Sequence, residues 1–393
     1  MTRDRERKPA TRSVRAGLES DAQYGAVVPP IYLTSNFAFD GYRRQRGPYD
    51  YTRSGNPTRD QLARAIADLE GGAGAVVTCT GLAAVTLLLA GLPAGARVLA
   101  PHDCYGGTYR LLAALAAKGA IVVDFIDQND AAALERALAA RPAMVWIETP
   151  SNPLLRIVDV ASLAAAGHAV GALVVADNTF LSPIWQRPLD LGADVVLHST
   201  TKYLNGHSDV VGGAVVARSA ERVRELAWWA NALGLTGAPF DSFMTLRGVR
   251  TLHARMRVHG ENALAVVEAL CAHPAVSKVH YPGLPGHPGH ALARRQQLGF
   301  GAMLSFELAG GESAVEAFLD GLTCFTLAES LGGVESLIAH PATMTHAGMD
   351  EESRRRAGIG PGLLRVSVGI EDAADLVDDL HAALERAAHA RAA

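Results

Sequence analysis

Two hydrophobic patterns alternate along residues 60–250. Short runs of consecutive apolar residues are typical of strands buried on both faces, and longer stretches with an apolar residue every three or four positions are typical of amphipathic helices. The predicted strands are Ala75–Thr78, Arg97–Ala100, Ile121–Ile126, Met144–Ile147, Leu173–Ala176 and Val195–His198. The predicted helices are Arg59–Leu69, Gly81–Leu92, Tyr105–Lys118, Ala131–Ala140 and Val160–Val170. This alternation predicts an α/β domain with a mostly parallel sheet covered by helices.

The pattern changes on both sides of this region. Residues 1 to about 60 lack sustained periodicity and are rich in Pro, Tyr, Arg and Gly, which predicts an extended arm. Past about residue 250 the elements predict a smaller α+β domain, namely helix Val249–His273, strand Ala302–Leu308, helix Ser313–Leu322, strand Leu363–Val368 and helix Asp372–Ala388. We therefore predict an arm (1–60), a large domain (61–250) and a C-terminal domain (251–393).

Composition narrows the class of protein. The chain has 393 residues, of which 49% are hydrophobic, and a formal net charge of −4. The length allows a large core, and the slight negative charge favours neither nucleic acid nor an anionic membrane as a partner. The four cysteines have no CxxC spacing, which predicts a reducing compartment without disulfides or a zinc site. With no secretory signal and no apolar run long enough to cross a bilayer, we expect a cytoplasmic protein.

Lys202 is the residue that points most directly to chemistry. It follows the predicted strand Val195–His198 closely and is preceded by Ser199, Thr200 and Thr201. Lysine is uncommon at the end of a buried strand. Desolvation lowers the pKa of a lysine and leaves a neutral, nucleophilic amine, which is what a Schiff-base lysine requires. A surface lysine in a polar loop is the alternative.

Two further segments bring polar groups to the ends of predicted strands. Asp177 follows an apolar strand, where its carboxylate can pair with a protonated ring nitrogen or simply cap a turn. Gly81 begins a helix directly after a strand, which makes either an anion site or an ordinary tight turn. Ligands collect at the carboxyl ends of strands in open α/β sheets. Together with Lys202 and the hydroxyls of Ser199 and Thr201, these residues are the parts of a pyridoxal phosphate site.

Motifs for other chemistries are missing from the sequence. No GxGxxG follows the first strand, and neither GxxxxGK[ST] nor GxSxG occurs. His287 and His290 lie in a loop rich in Gly and Pro, which favours a surface loop over a metal site. We therefore predict no metal.

Long segments of the chain resemble one known family. These segments cover residues 49–58, 100–110, 198–209, 327–336 and 343–349. On them, the chain strongly resembles the Cys/Met-metabolism family of pyridoxal phosphate enzymes, fold type I, from about Arg15 to Leu384. The resemblance implies a PLP-dependent transferase with a mostly parallel seven-stranded sheet in its large domain.

The resemblance also implies how the cofactor is held. Lys202 would form an imine with its aldehyde and move protons, and Asp177 would pair with the pyridinium. Tyr105 would stack on the ring and is a second catalytic residue, and Tyr51 and Arg53 would reach the phosphate from a neighbouring subunit. The implied phosphate contacts within the chain are Gly81, Leu82, Ser199 and Thr201.

Substrate contacts are implied in the C-terminal half. Asn152, Ser330 and Arg365 would hold the substrate α-carboxylate, and Glu329 is a further substrate-binding residue. The sequence around Arg365 supports this role, because a charge in an apolar strand is costly unless it meets an anion, and guanidinium offers a carboxylate a bidentate fork. A structural ion pair is the alternative.

The implied reaction is a γ-replacement in methionine biosynthesis. O-succinyl-L-homoserine and L-cysteine would give L-cystathionine and succinate. The segments 49–53 and 227–230 favour this over γ-cleavage by a cystathionine γ-lyase. Methionine γ-lyase is disfavoured because Gly107 stands where those enzymes usually place a cysteine, and O-acylhomoserine sulfhydrylase is a further alternative. Arg46 and Arg110 are candidates for the distal acyl carboxylate, and the succinyl or acetyl identity of the donor stays open.

The resemblance finally implies an assembly. An arm without a core of its own is expected to be ordered against a partner. Sharing active sites between subunits makes a dimer obligatory, and pairs of such dimers form a homotetramer.

Overall fold

The computed structural model describes residues 7–349 and 351–392. The first six residues of the predicted arm, and Asp350 and Ala393 of the predicted C-terminal domain, lie outside the described residues. The strands are β1 (Phe39–Gly41), β2 (Arg44–Gln45), β3 (Gly74–Thr78), β4 (Ala96–Pro101), β5 (Ile121–Ile126), β6 (Met144–Glu148), β7 (Leu173–Asp177), β8 (Val195–Ser199), β9 (Gly213–Ala217), β10 (Val276–His280), β11 (Met303–Leu308), β12 (Thr326–Leu327), β13 (Leu337–Ala339) and β14 (Leu363–Ser367). The helices are α1 (Pro9–Arg15), α2 (Pro57–Glu70), α3 (Gly81–Ala90), α4 (Gly106–Ala117), α5 (Ala131–Ala139), α6 (Val160–Ala169), α7 (Ser182–Trp185), α8 (Ala220–Leu233), α9 (Pro239–Val249), α10 (Leu252–Ala272), α11 (His290–Gln296), α12 (Gly311–Leu319), α13 (Glu351–Ala357) and α14 (Ala373–Ala392).

A seven-stranded sheet has the order β3-β9-β8-β7-β6-β4-β5. Strands β7 and β8 are parallel, whereas β9 pairs antiparallel with both β8 and β3. The sheet is mixed and mostly parallel, which confirms the predicted fold class. Strand β9 is the one member that the hydrophobic pattern did not predict. A Cβ added at Gly213 would overlap the carbonyl of Thr80, so glycine allows this close backbone approach.

A five-stranded sheet has the order β10-β11-β14-β13-β12. Its strands pair antiparallel except β12 with β13. Strand β14 is central and fully buried along its five residues. Arg365 lies in the middle of it, opposite Ser305 of β11 and Ala339 of β13.

Local signals explain where the helix leading into the large sheet begins and ends. The side chain of Asn56 accepts hydrogen bonds from the backbone N–H groups of Thr58 and Arg59, at 2.9 and 3.4 Å, and Pro57 occupies the first position of α2. Gly71 ends the helix with φ 78°, in the left-handed region that glycine adopts readily. Helix α2 therefore begins two residues before the predicted helix.

Two stretches differ from the predicted pattern. The helix expected over Val249–His273 is α10, which begins three residues later, at Leu252; the separate helix before it, α9, ends at Val249 and was not predicted. Gly248 lies so close to the backbone carbonyl of Asn205 that an added Cβ would overlap that carbonyl. The end of α9 therefore packs against the chain at Asn205. The predicted arm contains α1 and the β1–β2 hairpin along with extended chain.

Contacts within the chain define two compact units. The first comprises residues up to Ala96, Ala143–Val145 and Val160–Ala254, and the second comprises Arg97–Pro142, Trp146–Asp159 and residues from Arg255 onward. The division predicted from the sequence, at residues 60 and 250, stays a prediction.

The four cysteines are free thiols. None of the helices in residues 7–349 and 351–392 is long and apolar enough to span a membrane. The same residues contain no group of three or more His, Cys, Asp or Glu side chains that is arranged to hold a metal ion.

Candidate functional site

The carboxyl ends of β7 and β8 meet at one edge of the seven-stranded sheet. The strands run parallel with Asp177 opposite Leu197, so Asp177 and Ser199 end neighbouring strands. Thr179 joins the two ends: its N–H donates to Asp177 Oδ1 at 3.0 Å, and its Oγ1 accepts from the N–H of Ser199 at 2.9 Å. Sequence reasoning missed Thr179, although a hydroxyl residue two positions after an aspartate is a recognisable turn signal.

Burial raises the pKa of Asp177 above its ordinary value of 3.8, while its two hydrogen bonds from Thr179 and the nearby His198 oppose that shift. A carboxyl group in such a setting gains stability as an anion when a cation stands beside it. Asp177 is thus suited to a positively charged partner at the sheet edge.

A buried polar network lies next to this edge, within the same unit. His198 Nε2 is 2.6 Å from Glu70 Oε1, and Asn178 Nδ2 donates to the same oxygen at 2.8 Å. Gln186 donates to Asn178 Oδ1 at 3.2 Å. Glu70 and Asn178 are fully inaccessible to solvent, and His198 and Gln186 are 1% exposed. Sequence reasoning missed this network because its members are as many as 128 positions apart.

The start of α3 forms the candidate anion site. Thr80 caps the helix by accepting from the N–H of Ala83 at 2.8 Å, and Gly81 is its first residue. A Cβ added at Gly81 would lie 2.9 Å from the Cβ of Ser199, so glycine lets this helix start approach the end of β8. Leu82 follows in the first turn, where backbone N–H groups have no acceptor within the helix. The predicted Gly81, Leu82 and Ser199 are therefore neighbours.

Lys202 lies in a tight turn just past β8. Its N–H donates to Ser199 O at 3.3 Å, and its carbonyl accepts from the N–H of Gly206 at 2.8 Å. Lys202 is half-buried, and the next two residues, Tyr203 and Leu204, are buried. The lysine is thus held at the sheet edge by backbone hydrogen bonds and by the anchored residues that follow it.

The hydroxyl of Thr201 contacts the backbone of Gly212. Its Oγ1 accepts from the N–H of Gly212 at 3.0 Å and is 3.3 Å from the carbonyl of the same residue. This pair of contacts fastens the lysine turn to the chain leading into β9. The phosphate contact implied for Thr201 stays a prediction.

Tyr51 and Arg53 lie in the arm and are exposed. The guanidinium carbon of Arg53 is 5.1 Å from the centre of the Tyr51 ring, and Arg53 Nε donates to Asn231 Oδ1 at 2.9 Å. The contact with a neighbouring subunit's phosphate site, implied for both residues, stays a prediction.

Arg365 is the central charged residue of the second unit. It is 3% exposed, and its Nη1 donates to Asn152 Oδ1 at 3.1 Å while its Nη2 donates to the carbonyl of Ser330 at 2.8 Å. The structure thus brings together the three residues predicted to hold a carboxylate. A buried guanidinium favours an anionic ligand, because its positive charge attracts one strongly in a low-dielectric setting.

Ser330 has φ 84°, an uncommon backbone conformation for a residue with a side chain. The segment before β13 is therefore shaped to aim its carbonyl at Arg365, and such outliers concentrate at functional sites. Glu329, the fourth predicted substrate contact, is exposed next to it.

Tyr105 stands at the start of α4 with 44% of its surface exposed. Its N–H donates to Glu148 Oε2 at 2.9 Å, and Glu148 is a buried carboxylate at the end of β6. This hydrogen bond fixes the backbone that carries the Tyr105 ring, and the ring is exposed enough to pack against a ligand.

His346 contacts the substrate-binding residues and gives a testable pH effect. Its Nε2 donates to the carbonyl of Asn152 at 3.2 Å, and burial together with the positive charge of Arg365 lowers its pKa from 6.5 to about 4. Between pH 6.5 and 4, His346 is protonated in the unfolded chain but stays neutral in the folded chain. The free energy of unfolding therefore falls as the pH falls.

We expect the His346→Gln variant to lose the part of this pH dependence that His346 causes, because glutamine does not titrate. Glutamine can still donate to the carbonyl of Asn152. The variant's unfolding free energy should fall less steeply, by up to about 1.4 kcal/mol per pH unit between pH 6.5 and 4. Urea unfolding across that pH range measures the slopes. His389→Gln, at an exposed histidine, is the control. Parallel curves for wild type and His346→Gln would show that His346 is not the group responsible.

A model of the Cys/Met metabolism PLP-dependent enzyme family matches residues 10–385. The chain belongs to this family. The match confirms the predicted family and its cofactor, pyridoxal phosphate. It extends over nearly the whole chain and so does not depend on a short motif.

Relatives within the family give a consistent picture. The cystathionine gamma-synthase of Escherichia coli (strain K12) is 58% identical over 375 residues, which cover 95% of this chain and 97% of the relative. A crystal structure of cystathionine gamma synthase from Xanthomonas oryzae pv. oryzae, in complex with aminoacrylate and cysteine, is 62% identical with a TM-score of 0.96 and covers 98% of this chain and 99% of that one. A cystathionine beta-lyase of Lactococcus lactis subsp. cremoris (strain MG1363) is less similar, at 46% identity over 96% of this chain and 98% of the relative.

The residues at the sheet edge fit the family's cofactor. A side chain at Gly81 would fill the space against Ser199, so the helix start and the end of β8 form a narrow cradle lined by backbone N–H groups, as a phosphate requires. Asp177 supplies a carboxylate suited to a cationic ring nitrogen, and Lys202 supplies the amine. The donor set therefore matches the phosphate, the ring and the aldehyde of pyridoxal phosphate.

Proposed function

We propose that this chain catalyses the cystathionine γ-synthase reaction, in which O-succinyl-L-homoserine and L-cysteine give L-cystathionine and succinate. The observation that carries the proposal is the near-full-length similarity to two proteins of that name, at 58% and 62% identity, against 46% for a β-lyase. A synthase requires a second amino acid, cysteine, after the first substrate has bound, whereas a β-lyase or γ-lyase requires none.

In this proposal the cofactor is held by the residues at the sheet edge. The N–H groups of Gly81 and Leu82 and the hydroxyls of Ser199 and Thr201 would hold its phosphate, and Asp177 would hold its ring nitrogen in the protonated form. When bound, pyridoxal phosphate supplies an electron sink that stabilises negative charge on the substrate carbons.

Lys202 is the proposed proton carrier. Its amine would take a proton from the substrate α-carbon and then help to move a proton from the β-carbon, which requires the neutral amine. The backbone hydrogen bond from Gly206 and the contact with Ser199 hold the turn that carries it. A fixed backbone confines the amine to the few positions that its side-chain rotamers allow.

Arg365 would bind the α-carboxylate of the amino acid through its planar fork. Asn152 and Ser330 hold the guanidinium from the side, through the hydrogen bonds that Nη1 and Nη2 donate. Tyr105 would pack on the face of the cofactor ring. Together these residues would hold the α-carboxylate of the substrate and one face of the cofactor ring.

The replacement itself exchanges two bonds at the γ-carbon. The C–O bond to succinate breaks with the electron pair leaving on the carboxylate, and the thiolate of cysteine forms the new C–S bond. Arg110 is one candidate for the distal succinyl carboxylate, and its side chain lies beside Gly348. Arg46 is the other candidate, and it pairs with Asp40 in this chain.

A paired assay of one preparation tests the proposed reaction. We expect cystathionine formation from O-succinyl-L-homoserine plus cysteine to exceed cystathionine cleavage by at least about tenfold in kcat/KM, a difference of roughly 1.4 kcal/mol in transition-state stabilisation. O-acetyl-L-homoserine in place of the succinyl ester reads out the donor preference. Dominant cleavage to 2-oxobutanoate, ammonia and cysteine would assign the chain to the γ-lyases instead, and cleavage to pyruvate, ammonia and homocysteine would assign it to the β-lyases.

The proposal extends to assembly and location. A homotetramer with active sites shared between subunits explains the exposed Tyr51 and Arg53 on an arm rich in exposed aromatic side chains, among them Tyr24 and Tyr42 at 83% and 87% exposure. We place the protein in the cytoplasm, in keeping with its four free thiols.

A further inference from the structure

A cavity lies in the second unit, and none of its six lining residues is assigned to the reaction. Its volume is about 230 Å³. Its walls come from the chain after β4, from α4, from the end of β5 and from the segment around α13. The lining residues are His102, Tyr109, Phe125, Asp127, Met349 and Arg356.

One wall of the cavity is apolar and rigid. The rings of Tyr109 and Phe125 pack with their centres 4.6 Å apart at an angle of 37°. Met349 adds a thioether, a soft group that accommodates aliphatic and sulfur-containing side chains. This wall suits a short apolar or thioether side chain.

The remaining wall carries opposite charges. Asp127 and Arg356 are both exposed and both line the cavity, yet in the described part of the chain no ion pair joins them. A carboxylate and a guanidinium held apart in one small cavity match the ammonium and carboxylate of a zwitterion. A cavity below roughly 300 Å³ is smaller than the usual site for a drug-sized ligand and suits a single amino acid.

We propose that this cavity is a second binding site, which takes a free α-amino acid with an apolar or thioether side chain. Arg356 binds its carboxylate, Asp127 binds its ammonium group, and its side chain lies against Tyr109, Phe125 and Met349.

A hydrogen-bonded chain leads from the cavity wall inward. Arg156 Nη1 donates to His102 Nε2 at 3.0 Å and to Asp103 Oδ2 at 3.0 Å. Ser151 Oγ donates to the same Asp103 oxygen at 2.6 Å. Because Nε2 of His102 accepts a hydrogen bond, its Nδ1 carries the proton and donates to Ile126 O at 3.2 Å.

The chain ends at the residues that hold Arg365. Asn152 directly follows Ser151, and its Oδ1 accepts from Arg365 Nη1. Arg156 Nη2 also donates to the carbonyl of Ala357, the residue after Arg356, at 3.1 Å. Hydrogen bonds from His102 to Ser151, followed by the peptide bond between Ser151 and Asn152, thus connect the cavity to the proposed carboxylate site.

This connection sets the expected sign of an effect, which rests on the proposed function of Arg365. A ligand that fills the cavity is expected to displace the His102 ring, which lines it, from the position where Nε2 accepts from Arg156. Losing that bond frees Arg156 and loosens the support of Arg365, so we expect occupancy to raise KM for the amino-acid ester.

Binding to the holoenzyme is measured by calorimetry with L-methionine as the probe, while the visible absorbance of the cofactor is recorded. We expect saturable binding that leaves the cofactor spectrum unchanged. Arg356→Gln and Asp127→Asn should each weaken it about tenfold or more, as loss of a charge-assisted hydrogen bond does. Arg355→Gln is the matched control, an exposed arginine of the same helix that pairs with Glu352 and does not line the cavity.

Kinetics complete the test. Methionine should raise KM in wild type and in Arg355→Gln but not in Arg356→Gln, whose KM without methionine should equal that of wild type. Absence of binding, or equal binding in all variants with a changed cofactor spectrum, would overturn the second site. Binding at the cavity with an unchanged KM would overturn the coupling, and neither result bears on whether the enzyme forms or cleaves cystathionine.

Discussion

Turnover should fall by at least about 10²–10⁴-fold when Lys202 is replaced by alanine, the usual contribution of a positioned general base. The amine of Lys202 is the proposed proton carrier, and the turn that holds it keeps its backbone hydrogen bonds without the side chain. Steady-state assay of cystathionine formation measures the loss. Borohydride reduction of the wild-type holoenzyme, followed by peptide mapping, should place the pyridoxyl group on the peptide that contains Lys202.

Lys278→Ala is the matched control, because Lys278 is an exposed lysine of strand β10. This variant should keep wild-type turnover and the same reduced adduct. A pyridoxyl group found at another residue, or near-normal activity of Lys202→Ala, would show that the reaction does not depend on this amine.

Arg365→Lys should lower kcat/KM by about 10²-fold or more, mainly through a higher KM for the amino-acid ester. Lysine keeps the charge but loses the planar fork that reaches Asn152 and Ser330, and a carboxylate loses its bidentate partner. Weakening one partner of a buried, hydrogen-bonded charge pair costs about 2–5 kcal/mol. Initial rates over a range of ester concentrations separate KM from kcat.

Arg59→Lys serves as the comparison, since Arg59 is also a buried arginine but donates to the backbone carbonyls of Gly237 and Thr52 at 3.0 and 2.6 Å. It should lower the free energy of unfolding while leaving KM near the wild-type value. If Arg365→Lys behaves in the same way, with lower stability and an unchanged KM, its role is structural and the carboxylate binds elsewhere.

The elements that the hydrophobic pattern predicted best are the central strands. Strands β6, β7 and β8 are almost wholly buried, and each extends only one residue past its predicted end. Parallel strands covered on both faces appear in a sequence as plain apolar runs, so their positions are easily found. Their ends matter most, because the residues that terminate them include Asp177 and Ser199.

Elements outside that pattern were missed for identifiable reasons. Strand β10 pairs only with β11 at the edge of its sheet and is partly exposed, so it carries no apolar run. Strand β9 is as long as β6, β7 and β8 and equally buried, but it begins with glycine, which is unfavourable in a strand, and it pairs antiparallel with β3 and β8. A pattern within one segment contains no information about which strands it will join.

The candidate site divides in the same way. Lys202, Asp177 and Gly81 stand out in the sequence because each places a polar residue or a glycine at or just beyond the boundary of a predicted element, and the family resemblance names the others. The buried Glu70–His198 pair and the Thr179 link between strand ends have no such signal. A glutamate at the end of an amphipathic helix is ordinarily solvated, and only the packing of α2 beside β8 makes Glu70 a buried partner.

By itself, the sequence predicted candidate reactive residues and the positions of the central strands, because those predictions depend on residue type and on spacing over a few turns. The tertiary structure decided the strand order, the partners of Arg365, and the cavity lined by Tyr109 and Arg356 with its connection to Asn152. These depend on contacts between residues up to about two hundred positions apart, such as Asn152 with Arg365. Such contacts form only when folding releases water from apolar surface and brings distant segments together.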